Sequence, residues 1–362
     1  MKKILFAFLF GHTIAVAQVV PFTSDRWKFA TSDYSLETYN GKEAVKLKKN
    51  SAMLEGAAFE NGTIEYDMAF PQGRAFIGFH FRIADEKNYE EFYVRPHQSG
   101  NPDANQYTPV FGSNAGWQLY YGEGYGAPAK YDFNNWIHFK LIVSGQYMEV
   151  YINDMETPVI FAELKRKPLK GNVGIQNAIN ESYFANVSVT PNDNVVLKNK
   201  PKPAQAMAPG TIEKWAVSNA FARAQLNTIT KLSDLPVKLT YASHKVEPTG
   251  TLNISSVAEL GETSDAVLAK LVIESTTDQV KKIQFGFSDR VKVFVNNVVV
   301  YSGEDDFSSR DYRFLGTIGY FDALYLQLRK GRNEIHFAVI ESFGGWGIKA
   351  RIEDMSGIKI IY

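Results

Sequence analysis

Apolar residues recur in this chain at every second position over runs too short for helices, and that rhythm leaves little besides β-sheet. It is plain at 63–70, 75–83 and 136–143, with Gly, Asn, Asp and Pro clusters between the runs. Side chains alternate across a strand, so each run has one face to bury and one to present. Many short strands spaced by turn residues predict an all-β sandwich. The rhythm stops over 191–210, where Pro201, Pro203 and Pro209 stand among Asn, Lys and Ala with no apolar period. That composition reads as an extended linker. Alternation resumes at 267–274, 280–287, 291–301, 323–328, 333–340 and 347–352. Asn296-Asn297 falls between two such runs and predicts a hairpin, because Asn tolerates the left-handed backbone a tight turn needs. Only 211–226 and 85–91 carry weak helical patterns.

The chain has 362 residues, too many for one β-sandwich and comfortable for two. Two jelly-roll-type β-sandwiches are therefore expected, at 18–190 and 211–362, joined by the Pro-containing segment 191–210. Ahead of them Lys2 and Lys3, the apolar run 4–10 and Ala15-Val16-Ala17 have the layout of a signal peptide over residues 1–17. The expectation is an exported protein, secreted, periplasmic or on the cell surface, with no membrane span. There is no cysteine, so neither a disulfide framework nor a thiolate metal site is available. Lys plus Arg and Asp plus Glu both number 39, which leaves no basic excess for nucleic acid.

Alternation at 76–83 puts Ile77, Phe79, Phe81 and Ile83 on one face and His80 and Arg82 on the other. At 91–97 it buries Phe92 and Val94 and presents Glu91, Tyr93, Arg95 and His97. If the two strands are neighbours, these six polar residues share one field. Arg supplies a planar donor fork, Glu and His supply acceptors, and Tyr a ring face, a set that matches the hydroxyls and flat faces of a sugar. The alternative is a solvated outer face. Downstream, Tyr107, Trp117, Tyr120, Tyr121 and Tyr125 crowd a Gly- and Asn-rich stretch. Aromatics on such loops suit stacking better than packing, and Trp117 and Tyr125 join the candidate ligand-binding set. Trp27 and Trp136, beside alternating runs, are expected to pack.

The order of Asn61-Gly62-Thr63-Ile64-Glu65-Tyr66, the Phe-Arg strand, Trp136-Ile137-His138-Phe139-Lys140 and Gly171-Asn172-Val173-Gly174-Ile175 resembles the concanavalin-like, laminin-G-like sandwich family. The resemblance implies a curved double sheet whose face or rim loops bind glycans. It extends distantly to the 3-keto-disaccharide hydrolase branch, although that branch's usual opening and its Asn-Ser-Gly strand are not found. In the second half, Val293-Phe294-Val295-Asn296-Asn297, Gly331-Arg332-Asn333-Glu334-Ile335 and Glu341 to Gly347 resemble the galactose-binding-like jelly roll. That likeness implies sugar contacts from loops at one end, and names Asp306, Arg310, Glu341 and Trp346 as candidates, or else a spacer that binds nothing.

No nucleophile elbow, phosphate-binding Gly loop or His-Glu-x-x-His helix is present. A glycosidase needs only two carboxylates about 5 to 10 Å apart, and Glu65, Asp67 and Glu91 are the candidates if their strands share a sheet. The reading is an exported protein that binds a polysaccharide or oligosaccharide without cleaving it. The alternative is a glycoside hydrolase or 3-keto-glycoside hydrolase using Glu91 with His80 or His97, and a further alternative is a non-catalytic envelope scaffold. No cofactor is implied beyond a structural calcium ion, for which no Asp-rich loop argues.

Overall fold

A computed structural model describes residues 18–203, 206–310 and 315–362, so the segment read as a signal peptide, 1–17, lies outside the described residues. Among those residues there is no α-helix, and the strands form two all-β domains. Among the described residues no helix is long and apolar enough to cross a membrane.

The first domain is a sandwich sewn together by two long antiparallel strands, Lys42–Phe59 and Gly171–Pro191. Both bend at their middle and run in both layers. Their inner ends continue one sheet through Ile77–Asp85, Asn88–Val94 and Asn105–Phe111. Their outer ends continue the other through Gly62–Ala69, Ile137–Ser144 and Tyr147–Ile152. The bend is chemically specified. Lys49 takes a left-handed φ of 49°, and the register slips between Asn177 and Glu181. The buried Asn177 amide donates to the Leu47 and Asn180 carbonyls and the Ser182 hydroxyl there. A kink in a sheet strands backbone groups, and these side-chain bonds replace the lost ladder.

Between the layers Tyr66 stacks on Phe79 at 4.7 Å and Phe139 at 5.3 Å, inside a core that includes Ile77, Phe81, Phe92, Val94 and, as the alternation predicts, Trp27. Each such side chain contributes roughly 1.5 to 3 kcal/mol on burial. Trp136 is instead half-buried at an outer surface, its ring nitrogen donating to the Tyr39 and Asn40 carbonyls.

The second domain packs a sheet containing Ala266–Ser275, Arg290–Val295 and Gly331–Ile340 on one of Gln279–Ser288, Asp322–Leu328 and Gly347–Arg351. Ile335, Phe337 and Val339 point inward as alternation requires, and Trp215, Phe285 and Trp346 complete the core. Asn296 and Asn297 have φ of 47° and 77° and join Arg290–Val295 to Val298–Glu304, the hairpin read from their sequence. The two weak helical readings are not realised. Residues 85–91 make a hairpin tied by Asp85, which accepts from the Lys87 amide and the Asn88 side chain. Residues 211–226 contain the strand Lys214–Ser218 and one short turn of tighter helix.

The segment after Pro191 is not slack. Buried Glu149 accepts from the backbone of Lys198 and Asn199 at 3.1 and 2.6 Å, strapping the chain to the first domain before it enters the second.

Candidate functional site

Cross-strand register places His80 opposite Glu91 and Gly78 opposite Tyr93, and continues with Thr108 beside Glu91 and Gln106 beside Tyr93. On the other flank Gly174 adjoins His80 and Gln176 adjoins Gly78. One sheet face thus gathers His80, Glu91, Tyr93, Gln106, Thr108 and Gln176. An outer face of a sandwich ordinarily meets water, yet Glu91 and His80 side chains are only 8% and 10% exposed. Two covers account for this: residues 112–120, and the second domain.

Residues 112–120 fold over the sheet because the Gln106 side chain reaches up to them, donating to the Trp117 and Tyr120 carbonyls at 3.0 and 2.7 Å. The second domain then docks on that segment. Buried Gln118 donates its backbone N–H to the Gly344 carbonyl at 2.9 Å and its side chain to the Leu315 carbonyl, and accepts from the Ser288 hydroxyl at 3.1 Å. Asn114 donates to Ser255 at 2.9 Å, and the Tyr120 hydroxyl to Glu247. Only glycine fits at 344: a Cβ there would lie 2.6 Å from the Trp117 ring nitrogen and 2.7 Å from Gln118 Oε1.

Between sheet face and cover remains a cavity of about 710 Å³. The first domain lines it with Arg74, Phe76, Glu91, Tyr93, Arg95 and Gln176, among others, and the second with Arg223, Asp265, Phe307, Glu341 and Phe343. Glu91 Oε1 accepts from Gln176 Nε2 at 2.6 Å and lies 3.4 Å from His80 Nε2. Gly78 makes room for it, since a Cβ at that position would sit 2.8 Å from Glu91 Oε1. Tyr93 donates to Gln106 at 2.9 Å. Arg95 pairs with Asp103 at 2.8 Å and lies over the Phe76 ring at 5.7 Å, while its Nε is buried without a partner. Trp117, Phe307 and Phe343 meet edge to face at 6.1 to 6.4 Å and form an aromatic rim. Phe343 is 62% exposed, apolar area of the kind a sugar ring covers.

The sequence candidates divide accordingly. Glu91, Tyr93, Arg95, Trp117 and Glu341 line the cavity. His80 lies behind Glu91, stacked on Tyr89 at 4.2 Å. His97 packs edge-on against Phe76 at 5.5 Å, and burial, with Arg95 and Arg74 beside it, lowers its pKa below the usual histidine value. Arg82 leaves the face on which alternation placed it. Its φ of 50° at a register slip turns the side chain to the Glu60 and Gly145 carbonyls at 2.8 and 2.7 Å, where it is 1% exposed. Tyr125 packs against the first core and near Tyr107 and Tyr120, away from the cavity lining. Tyr107, read as a platform, is fully buried, its hydroxyl donating to Glu90 at 2.7 Å.

In the second domain Trp346 is fully buried, its ring nitrogen donating to the Val339 carbonyl. Asp306 pairs with Arg290 at 2.6 Å, and Arg310 with Asp322 and Asp305 at 2.8 and 3.2 Å; none of these lines the cavity. Glu65 and Asp67 lie on the opposite sheet from Glu91, where both flank His138. Arg74, Phe76, Gln176 and Arg223 were not singled out in the sequence, whereas Phe307 and Phe343 lie in the two loops to which the jelly-roll likeness points, without being named as candidates themselves. Gly78 inside a strand and Gly344-Gly345 beside Phe343 are the local signals that a backbone or ligand approaches closely there. Among the described residues no cluster of three or more His, Asp or Glu is placed to hold a metal ion.

Comparison with known proteins bears on the first domain. Residues 23–190 match the 3-keto-alpha-glucoside-1,2-lyase-like domain family. Among solved structures, a carbohydrate-binding module from Bacillus subtilis is 19% identical with a TM-score of 0.35, covering 45% of this chain and 93% of its own. A putative glycosyl hydrolase from Parabacteroides distasonis is 15% identical, TM-score 0.35, covering 48% and 99%. Bacillus licheniformis beta-glucanase is 11% identical, TM-score 0.35, covering 49% and 98%. No curated protein matches the chain.

Proposed function

We propose that this is an exported protein that takes a saccharide into the cavity over the first domain's Glu91 face. The observation that carries the reading is the burial of Glu91 against Gln176 and His80 in a cavity rimmed by Trp117, Phe307 and Phe343. A buried carboxylate offers strong acceptor sites for hydroxyl groups, Arg95 offers an unpartnered donor, and the rim offers ring faces and edges. Pockets of this size with a few convergent polar groups suit ligands of one to a few sugar rings.

A catalytic reading is favoured by the match of residues 23–190 to a lyase-like domain. In a 3-keto-glucoside the carbonyl acidifies the hydrogen on ring carbon 2. A base that removes it lets the electron pair form a double bond between carbons 1 and 2 and expel the glycosidic oxygen. That oxygen leaves as an alcohol after taking a proton, so neither water nor a redox partner is consumed. Glu91 is the base in this reading: Gln176 and the sheet fix its position, and Gly78 leaves its carboxylate room to approach a ligand.

The test is a titration of the protein with maltose, sucrose, trehalose and their 3-keto derivatives, following Trp fluorescence and the ultraviolet absorbance of an enone product. Saturable quenching without product gives a binding protein; product from the keto sugars alone gives a lyase. Silence towards all six, and towards a wider polysaccharide panel, returns the chain to the scaffold alternative.

A further inference from the structure

The second domain brings one carboxyl to the cavity whose surroundings are unlike those of any other carboxyl in it. Glu341 lines the cavity wall, is 3% exposed, and has Oε2 buried without a hydrogen-bond partner. Its Oε1 receives a long contact of 3.4 Å from the Gly345 amide, and the Asn114 side chain adds a weak pull. The neighbouring Asp289, fully buried, takes the better donors: the amides of Ser342 and Phe343 at 2.6 Å each, and the Ser288 hydroxyl at 3.3 Å. A buried carboxylate with few and weak donors is costlier than a neutral carboxylic acid.

Resting on the saccharide reading above, we infer that Glu341 is a ligand-binding residue whose carboxylic acid O–H donates a hydrogen bond to an oxygen of an uncharged saccharide held between the two domains. The second domain is then half of the binding site and not a spacer. Burial, then the charge of Asp289, raises the Glu341 pKa, against the weaker pull of Gly345, Asn114 and Arg223. Burial also raises Asp289, and its backbone donors make it the partner that keeps the charge while Glu341 keeps the proton.

The ligand class follows from the charges on the wall. Three guanidinium groups, Arg74, Arg95 and Arg223, face three carboxylates, Glu91, Glu262 and Asp265, once Glu341 is neutral. Arg95 is tied to Asp103, and Arg223 to Asp265 at 2.5 Å and to the Glu341 carbonyl at 2.6 Å. A charge-balanced wall, with two of its three guanidinium groups already in ion pairs, gives little surplus to hold a uronate or sulfated sugar.

The experiment titrates the whole protein and its Glu341→Gln, Glu341→Leu and Phe343→Ala variants with 3-keto-trehalose and trehalose, with trigalacturonate as the acidic probe. Gln keeps a neutral donor, so Glu341→Gln should bind within about threefold of the parent, whereas Glu341→Leu should lose about tenfold or more. Phe343→Ala, at an exposed position that cannot unfold the domain, should lose several-fold, and trigalacturonate should not compete. If the parent binds and both Glu341→Leu and Phe343→Ala bind equally well, the ligand does not reach the second domain and the inference fails while the saccharide reading stands. Competition by trigalacturonate overturns the uncharged class. A parent that binds none of these sugars overturns both.

Discussion

The two outer faces of the first domain carry nearly the same chemical inventory and have opposite fates. On one, Glu91 and His80 stand with Tyr93, Arg95 and Phe76. On the other, Glu65 and Asp67 flank His138, with Nε2 and Nδ1 contacts of 3.2 and 2.7 Å, beside Lys42, Tyr39, Tyr183 and Trp136. The second face is a closed circuit. Asp67 accepts from Lys42 and Asn186 at 2.6 Å each besides facing His138, and the His138 and Glu65 side chains remain 35% and 36% exposed. The Glu91 face is an open circuit under a roof: its polar atoms are buried by residues 112–120 and the second domain, and Arg95 Nε and Glu341 Oε2 have no partner. A surface whose charges satisfy one another in water is at rest, whereas desolvated groups left unpaired can gain from a ligand. Inventory alone does not make a site; the wall that excludes water and the atoms left unpaired do.

The sharpest way to break that contrast is to remove a carboxylate from each face. Glu91→Gln should lower saccharide affinity about 10- to 100-fold, the worth of a charge-assisted bond, and lower any elimination rate by about 10² to 10⁴. Glu65→Gln should leave both within twofold. Equal losses from the two variants, measured by fluorescence titration and product absorbance, would mean that the roofed cavity has no special role. A smaller effect isolates geometry from charge. Gly78→Ala retains every polar group but places a methyl 2.8 Å from Glu91 Oε1. The far end of a flexible side chain can yield, so stability should change little while affinity falls about three- to tenfold. Unchanged binding in Gly78→Ala would show that the position of the Glu91 carboxylate is not critical.

The contrast also explains what the sequence could disclose. Alternation in 77–83 and 91–94 was enough to put His80, Glu91 and Tyr93 on one face, because a strand's period is fixed by its backbone. Asn296-Asn297 disclosed its turn for the same local reason. Arg82 escaped because one residue in the left-handed region reverses the face of everything at a bulge, and nothing in Phe81-Arg82-Ile83 marks it. Which face would be roofed was beyond any local pattern: Gln118 meets Ser288, Leu315 and Gly344, partners at least 170 positions away in the chain. Asp67 and Glu91 were similarly inseparable until the two bent strands assigned them to different layers. The two domains were visible as a break in rhythm, but their joint cavity was not, since the segment between them looks slack in composition and is held by Glu149 in the fold.

The smallest predicted effect uses protons to tell the faces apart. Glu341 and His138 both bind a proton more tightly folded than unfolded, Glu341 chiefly through burial and His138 chiefly through its hydrogen bond to Asp67. A raised folded pKa gives stability that is complete below the unfolded value and is lost as pH rises through the folded one. The Glu341 loss therefore begins near the ordinary glutamate value of 4.5 and the His138 loss near the ordinary histidine value of 6.5. His138 is a third exposed and solvent-screened, so its share is about a few tenths of a kcal/mol; the roofed Glu341 should account for more. In urea unfolding from about pH 4.5 to about pH 9, the share of each group is read as the difference between the parent and the variant that lacks it, because buried His336, whose pKa is lowered to about 4, adds stability in the opposite sense up to the ordinary histidine value. Relative to the parent, Glu341→Gln should remove an early loss of stability with rising pH, and His138→Ala only a shallow later one. An early slope that survives Glu341→Gln intact would mean that Glu341 is already ionised in the fold, and the roofed face would then hold one more negative charge than the open-circuit description allows.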